Sequence, residues 1–440
     1  MTAIRSEVLV VGGGPAGSAT ACFLARAGVD VLIVDRQRFP RDKPCAEYIS
    51  PEGSRLLDAM GVLRALESAG GEQLNGMEVH APGGAVVHGE FVAKHGYRGF
   101  RDWGLAIRRT VLDAILLDAA RIAGARVMER VSVRKLVRNA GGRVQGALAL
   151  TADGSAVSLD APLTVGADGL HSMVGRHADL VRVGSWPRRY AAVAHFRGVQ
   201  GMSAFGEMYV GAGRVGYAGL AAVGGGVTNV AVVVPAARAE EARGGVGEFV
   251  DEWVRALPDL AVRFERAERI DAGAAVGPFN SRARVAWRPG VALVGDAADF
   301  FDPFTGEGIY SAMRGGELLA AHALEAVRTP SRTRADAALA AYDRARRREF
   351  GPKWRIERLI GTAIECPAVF DWMARRLEAD RAMADALIGV TGDFVPPRVV
   401  LRPSFLLRLI RPARWQRAPA AGAPIVSTPA TRLSSEHRHS

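Results

Sequence analysis

The apolar positions of the first 35 residues follow a strand, turn, helix and strand pattern. Val8–Val11 is a short apolar run without a polar residue, and Gly12–Gly17 follows it directly. Ser18–Ala27 favours a helix, and a second apolar run over Val29–Val34 ends at Asp35. A glycine-rich turn between strand and helix, with an acid ending the next strand, predicts a dinucleotide-binding βαβ unit.

The glycines of this turn have separate physical roles in such a unit. Gly12 allows a tight turn after the strand, Gly14 lets a pyrophosphate approach the backbone, and Gly17 lets the helix pack close to the strand. The helix N-terminus presents unpaired N–H groups and the positive end of its dipole to the phosphates. Asp35 is placed to accept hydrogen bonds from ribose hydroxyls.

Two later apolar runs also end in turns that contain glycine and aspartate. Leu163–Val165 leads into Asp168-Gly169, and Val291–Val294 leads into Gly295-Asp296. Asp296 can hold a ribityl or ribose hydroxyl, and the loop Pro303–Ile309 can press its backbone against a flat ring. A helix is predicted to begin within this loop, at residue 306, and its dipole would stabilise negative charge on a reduced ring.

The patterning divides the chain into regions of different character. We predict an α/β fold in which a discontinuous Rossmann-like nucleotide domain comprises residues 1–185 and 280–330. Alternating apolar and polar positions predict an antiparallel sheet over 186–279, with a contribution from about 80–100 and a helix over 237–256. Residues 331–410 are predicted to be helical. Residues 411–440, rich in Ala, Pro, Ser and Thr, are predicted to be a disordered tail.

Composition changes this picture only slightly. Lysine and arginine number 57 against 46 acidic residues, a net charge of +11. The arginines are spread along the chain without a nucleic-acid motif, so a nucleic-acid partner is not expected. Three cysteines give no disulfide framework, and no metal-ligand cluster stands out. Without a long apolar run or a secretory leader, we expect a cytoplasmic protein; its basic surface also suits peripheral contact with an anionic membrane.

The three turns match, in order and spacing, the three FAD motifs of the oxidoreductases of the para-hydroxybenzoate hydroxylase fold. The chain resembles that family over roughly residues 5–330. The resemblance implies FAD as cofactor, NADH or NADPH as electron donor, an inserted antiparallel substrate domain and a helical C-terminal region. It implies the following cofactor-binding residues: Gly12, Gly14, Pro15, Ala16, Gly17, Asp35, Arg36, Arg109, Asp168, Gly295, Asp296, Pro303, Gly306, Gly308 and Ile309.

Within that family the chain is most similar to the geranylgeranyl reductase-like branch. Phe39–Cys45 and Asp302–Ile309 resemble segments of that branch, and Arg109 stands where its members contact FAD with an arginine. Prenyl reductases usually carry glycines after the cysteine, whereas this chain has Ala46-Glu47. The Cys-x-Glu form is more similar to monooxygenase-type and halogenase-like members. No tryptophan motif of flavin halogenases is present, and Lys94 lacks the halogenase context.

These resemblances imply three functions in order of preference. The first is an FAD-dependent monooxygenase that hydroxylates or epoxidises an aromatic or polyketide-like substrate through a flavin C4a-hydroperoxide. The second is a reductase of C=C bonds in a prenyl lipid, and the third is a non-redox escort that binds lipidated partners. Cys45 and Glu47 are the candidate catalytic residues, with Glu47 as an acid or base and Cys45 as a redox-active or pocket-lining thiol. The sequence does not indicate an oligomeric state.

Overall fold

The computed structural model describes residues 2–93, 96–184, 188–211 and 215–410; Lys94 and the predicted tail 411–440 lie outside them. The strands, in chain order, are β1 (Thr2–Arg5), β2 (Val8–Val11), β3 (Val31–Asp35), β4 (Tyr48–Ile49), β5 (Glu72–Leu74), β6 (Gly76–His80), β7 (Val86–Glu90), β8 (Gly104–Ala106), β9 (Arg126–Glu129), β10 (Ser132–Arg138), β11 (Val144–Leu150), β12 (Ala156–Asp160), β13 (Leu163–Gly166), β14 (Val181–Val183), β15 (Arg189–Arg197), β16 (Phe205–Val210), β17 (Tyr217–Ala222), β18 (Val227–Pro235), β19 (Glu268–Arg269), β20 (Ala274–Val276), β21 (Ser281–Ala283), β22 (Trp287–Arg288), β23 (Val291–Leu293) and β24 (Asp299–Phe300). The α-helices are α1 (Pro15–Arg26), α2 (Pro51–Ala59), α3 (Leu63–Ser68), α4 (Arg109–Ile122), α5 (Met173–His177), α6 (Val246–Arg255), α7 (Pro258–Arg263), α8 (Gly308–Arg328), α9 (Arg332–Ile364), α10 (Pro367–Glu378), α11 (Arg381–Thr391) and α12 (Pro403–Ile410).

A six-stranded sheet forms the centre of the first region, in the order β22-β23-β13-β2-β3-β9. All its pairs are parallel except β22 with β23. Every residue of β2 and β3 is buried, because α1 packs against them and a four-stranded sheet, β1-β12-β11-β10, contacts β3 and β13. The predicted βαβ unit is therefore β2-α1-β3.

The three strand-and-turn elements meet at one edge of this sheet. β2, β13 and β23 are parallel neighbours, so the turns that follow them lie side by side. The helix after the third turn begins at Gly308, two residues later than predicted, because Pro303–Thr305 forms a separate 3₁₀ turn.

The middle of the chain forms an eight-stranded sheet in the order β19-β15-β18-β17-β16-β6-β7, with β20 also paired to β15. Strands β6 and β7 come from residues 76–90, so this sheet is assembled from two separate parts of the chain. The prediction of one helix over 237–256 was partly wrong. This stretch is a 3₁₀ segment, Ala236–Gly244, and then α6, and Gly245 between them has φ 156°.

The C-terminal region is helical through α12. Within this region α10 and α11 are separate helices, and the Asp380 side chain caps α11 by accepting from Met383 N. Helix α10 packs against α9, β7 and α12. No helix in the described ranges combines the length and apolar character needed to cross a bilayer.

Candidate active site

The first turn has the close backbone packing that a nucleotide site requires. Gly12 has φ 106°, and a Cβ on Gly17 would lie 1.8 Å from the Gly12 carbonyl oxygen. Only glycine therefore allows α1 to lie this close to the end of β2. Asp35, at the end of β3, accepts from Gly13 N at 2.7 Å and from Gln37 N at 2.8 Å. These bonds fix its carboxylate beside the turn, where ribose hydroxyls would lie.

One buried arginine, Arg109, one half-buried arginine, Arg41, and a buried aspartate lie beside the N-terminus of α1. Arg109 makes two bonds of 2.7 Å to Asp113, and Arg41 makes an ion pair of 2.9 Å with the same carboxylate. Arg41 also reaches the glycine turn, since a Cβ on Gly14 would be 3.4 Å from its Nη2. Two guanidiniums against one carboxylate leave one net positive charge beside a helix N-terminus, which fits a pyrophosphate.

Arg109 itself is almost fully buried, and its guanidinium is hydrogen-bonded to Asp113. Burial acts to lower the pKa of Arg109, but Asp113 and then Cys45 raise it above its usual range. The predicted FAD contact of Arg109 stays a prediction, while its contact with Asp113 is direct. Arg41, in the long loop after β3, was not a candidate from the sequence. Its one signal was a cation within a loop next to the nucleotide turn.

A lysine joins the second and third turns. Lys43 Nζ lies 3.4 Å from Asp296 Oδ2, and a Cβ on Gly169 would be 3.7 Å from the same Nζ. Gly295, with φ 63°, packs against α1, because a Cβ there would be 2.8 Å from Ala16 Cβ. Asp296 is therefore held between the first turn and a cation, as a ligand of the ribityl or phosphate region would be.

Asp168, unlike Asp296, forms hydrogen bonds within its own turn. Its carboxylate accepts from Ser172 Oγ at 2.5 Å, from Met173 N at 2.6 Å and from Val174 N at 3.1 Å. It therefore caps the short helix α5 and shapes the turn after β13. The side chain of Arg36, directly after Asp35, is exposed, and its predicted contact with FAD stays a prediction.

The flavin loop, Pro303–Ile309, leaves open space at the start of α8. Gly308 has no atom within 4 Å of an added Cβ, whereas a Cβ on Gly306 would be 2.9 Å from Tyr48 Cδ1. The helix that begins there is 21 residues long, so its dipole is well developed. An unfilled space at this N-terminus fits the anionic edge of a reduced isoalloxazine ring.

Glu47 is the centre of a buried polar network. It is 1% exposed and has φ 58°, the left-handed region. Its Oε1 accepts from Arg109 N at 2.7 Å, and its Oε2 lies 3.0 Å from His195 Nε2. Asn229, the cross-strand partner of His195, donates from Nδ2 to Glu47 Oε2 at 3.2 Å.

His195 lies between two carboxylates. Its other ring nitrogen, Nδ1, is 2.6 Å from Asp271 Oδ2. Burial opposes a charged ring, but Glu47 outweighs it and raises the pKa of His195; Arg108 acts in the opposite direction and Asp271 adds to the rise. We call Glu47, His195 and Asp271 the carboxylate–histidine row.

The row runs from the buried loop to a cavity. His195 is 4% exposed, whereas the Asp271 side chain is 29% exposed. The cavity, about 210 Å³, is lined by Asp42, Lys43 and Pro44 on one side and by Val193, His195 and Asp271–Ala274 on the other. Asp42, His195 and Asp271 place ligand-type atoms within 4.8 Å of one another, but both nitrogens of His195 already face carboxylates. The arrangement is therefore suited to moving a proton between the cavity and Glu47.

Cys45 lies in the same turn as Glu47 and is a free, half-buried thiol. Its Sγ accepts from Glu47 N at 3.3 Å, and its carbonyl oxygen accepts from Asn229 Nδ2 at 2.9 Å. The structure thus brings both predicted catalytic residues together. His195, Asn229 and Asp271 were missed, although His195 and Asn229 are the polar residues within otherwise apolar stretches of two buried strands.

Known proteins share this architecture along most of the chain. A family model described as FAD binding domain matches residues 5–351. A menaquinone reductase of Mycolicibacterium smegmatis is 29% identical over 345 residues, 72% of this chain and 76% of that protein. A digeranylgeranylglycerophospholipid reductase of Methanothrix thermoacetophila is 31% identical over 323 residues, 71% of this chain and 76% of that protein.

The fold also matches a solved structure, a flavoprotein/dehydrogenase from Cytophaga hutchinsonii. That structure superposes with a TM-score of 0.77 at 19% identity and covers 92% of this chain and 96% of its own. Together with the glycine turns, the cationic cleft and the open helix N-terminus, these matches agree on the cofactor. The chain belongs to the FAD binding domain family and is an FAD-dependent oxidoreductase.

Proposed function

We propose that this protein reduces a C=C bond of an isoprenoid or similar lipophilic molecule, with NADH or NADPH as electron donor. The sequence relatives named above, both reductases, favour this second of the sequence-based interpretations. The observation that carries it is the carboxylate–histidine row. Saturating a C=C bond adds a hydride and a proton, and the row supplies a proton path from a cavity to a buried acid.

The balance of the reaction is simple. When bound, FAD would supply the hydride-transfer chemistry that links the nicotinamide to the substrate. The nicotinamide is oxidised, one substrate bond is reduced, and one proton is taken from solvent. The protein's own residues hold the cofactor and manage that proton. Arg41 and Arg109, balanced by Asp113, fit the pyrophosphate, and the N-terminus of α8 fits the ring.

The proton would move along the row in two short steps. His195 Nε2, 3.0 Å from Glu47 Oε2, passes a proton to the carboxylate, and Asp271 stabilises the charged ring through Nδ1. Asn229 keeps Glu47 in place by donating to the same oxygen. Glu47 and the neighbouring thiol of Cys45 are then the groups that could donate the proton to the substrate. The raised pKa of His195 favours the protonated ring, so this step is favoured as the pH falls.

One specific observation favours the monooxygenase as a second candidate. Ala46-Glu47 stands where prenyl reductases usually carry glycines. The row that Glu47 forms could accept a phenolic proton from an aromatic substrate. Oxygen would then be the oxidant, with one atom entering the substrate and one leaving as water. A non-redox escort would be expected to bind no flavin. The cofactor-binding turns of this chain are intact and do not support that interpretation.

Rapid mixing separates the candidates. The FAD-loaded protein is reduced without oxygen and mixed either with a geranylgeranyl lipid or with aerated buffer containing aromatic ligands. Reoxidation by the lipid without oxygen, slowed at least tenfold in His195→Gln and unchanged in His171→Gln, supports the reductase. His171 is an exposed histidine outside the row and serves as the matched control. A transient absorbing species that appears only with oxygen, and no reoxidation by the lipid, would favour the monooxygenase instead.

A further inference from the structure

The last described helix, α12, turns large apolar side chains toward solvent. Leu406, Leu407 and Ile410 are 37%, 49% and 56% exposed, while Leu409 is buried against the protein. Phe405 packs inward with the neighbouring apolar clusters, so the helix is anchored by one side. An eight-residue helix with three exposed large apolar residues is unusual for a surface that faces only water.

Helix α10 extends the same apolar surface. Val369 and Trp372 are 48% and 36% exposed, and they lie on one side of the helix with Arg376. Arg376 donates to the carbonyl oxygen of Arg408 at 3.1 Å, which places this side of α10 next to α12. We call Val369, Trp372, Leu406, Leu407 and Ile410 the docking face. Five of the eleven exposed large apolar residues found in the described ranges lie there.

The chain segment that carries α12 is basic. From Phe394 to Ser435 the sequence contains no acidic residue, and six arginines lie between residues 398 and 417. They are Arg398, Arg402, Arg408, Arg411, Arg414 and Arg417. Of these, Arg408 is partly balanced by Asp380 of the α10–α11 connection. Clustered arginine next to exposed leucine is the pattern of a segment that lies in the interface of an anionic bilayer.

We propose that the docking face binds the surface of an anionic lipid bilayer. The apolar side chains enter the boundary between headgroups and acyl chains, and the exposed arginines Arg398 and Arg402 contact lipid phosphates. A second copy of the chain fits less well, because symmetric pairing would bring the two basic segments together. Residues 411–440 contain few large apolar side chains to cover the face. The proposal stands independently of the reaction and explains how a lipophilic substrate would reach the protein.

A cavity beneath α12 agrees with a lipid surface. It measures about 210 Å³ and is bounded by Phe405 and Arg408 of α12, with a wall that is otherwise mostly apolar. The remaining lining residues include Tyr97, Met383, Phe394 and Val399, together with the carboxylates of Glu90 and Asp385. The apolar part of this wall lies beside the docking face and suits an alkyl chain from the adjoining bilayer.

Vesicle sedimentation of the FAD-loaded full chain tests the proposal. Vesicles of equal parts phosphatidylglycerol and phosphatidylcholine are compared with vesicles of phosphatidylcholine alone. We expect binding to the anionic vesicles that weakens with added salt. The double variant Leu407→Ser/Ile410→Ser should bind about tenfold more weakly, and Arg402→Gln should weaken binding and reduce its sensitivity to salt. Ile122→Ser and Arg348→Gln, which change exposed side chains elsewhere, should bind as the unchanged protein does.

Three results would overturn the proposal. They are no binding to anionic vesicles, equal binding by the double variant, or a dimer in solution that the double variant abolishes. Flavin absorbance and the thermal unfolding midpoint of each variant show that it is folded. Because sedimentation needs no turnover, a negative result leaves the proposed reaction untouched, and an inactive enzyme leaves the docking result untouched.

Discussion

Glu47 occupies a backbone position that suits glycine. Its φ of 58° lies in the left-handed region, which costs a non-glycine residue on the order of 1 kcal/mol. The side chain offsets that cost with bonds to Arg109 N, His195 and Asn229. A carboxylate therefore stands at the candidate active site in a backbone conformation that favours glycine.

The row predicts a pH dependence of stability. Folding raises the pKa of His195 above its unfolded value of about 6.5. Its contribution to stability is therefore complete below about pH 6.5 and is lost as pH rises through the folded pKa. We expect the unfolding midpoint of the FAD-loaded protein to exceed that of His195→Gln most at about pH 6, with the difference shrinking toward pH 9.

Thermal unfolding followed by circular dichroism across this pH range measures the effect. His171→Gln, which changes an exposed histidine, should follow the unchanged protein at every pH. If the unfolding midpoints of the unchanged protein and of His195→Gln change with pH in the same way, folding does not raise the pKa of the His195 ring. The protonated ring would then not form stabilising ion pairs with Glu47 and Asp271.

The position of Asp113 between two arginines predicts that replacing its carboxylate by an amide will strongly destabilise the protein. Asp113→Asn removes the one carboxylate that balances the buried guanidinium of Arg109 and the half-buried guanidinium of Arg41. We expect a loss of about 3–5 kcal/mol in unfolding free energy and weaker retention of FAD. Asp118→Asn, on the exposed side of the same helix, should cost less than about 0.5 kcal/mol. Urea unfolding measures both variants, and equal losses would show that the buried pair adds nothing.

At the level of elements, the contact of α1 with β2 depends on a missing side chain. In Gly17→Ala the new Cβ would lie 1.8 Å from the Gly12 carbonyl oxygen, so the helix must move away from the strand. We expect a loss of at least about 2 kcal/mol and a tenfold or greater loss of FAD affinity, since the N–H groups of the turn would shift. Flavin titration of the refolded apoprotein measures the affinity.

Gly244→Ala is the matched control for this change. Nothing lies within 4 Å of an added Cβ at Gly244, which ends the 3₁₀ segment before α6. Its stability should stay within about 0.5 kcal/mol of the unchanged protein. Retained FAD affinity in Gly17→Ala would mean that the turn tolerates the displacement and that close packing is not what positions the cofactor.

Local sequence signals account for the elements that were predicted well. The β2-α1-β3 unit, the three turns and the flavin loop depend on residues close together in the chain, so glycine, proline and apolar spacing reveal them. His195, Asn229 and Asp271 could not be found this way. They meet Glu47 only after β15 and β18 pair in register and the sheet packs on the loop after β3. Arg41 likewise gains its role from Asp113, which is 72 positions away in the sequence.

For the whole molecule, one buried cluster joins the flavin loop to the other two regions. Arg189, on β15, is 1% exposed and forms ion pairs with Asp302 and with Glu365, which follows α9. Tyr217, on β17, donates to Asp302 Oδ1 at 2.7 Å. Asp302 also accepts from Phe304 N at 3.0 Å and so shapes the start of the flavin loop. The middle sheet and the C-terminal helices therefore both fix the position of this loop.

This arrangement makes a prediction that separates stability from cofactor positioning. Arg189→Met fills the same space but leaves the carboxylates of Asp302 and Glu365 without their cation. We expect a loss of about 3–5 kcal/mol in unfolding free energy and, in the folded fraction, at least tenfold weaker FAD binding. Arg238→Met, which breaks an exposed pair with Glu241, should change neither quantity measurably. If Arg189→Met is destabilised but binds FAD normally, the cluster joins the three regions without positioning the flavin loop. If both stability and FAD affinity fall, the cofactor site depends on the middle sheet and the C-terminal helices as well as on the nucleotide-binding region.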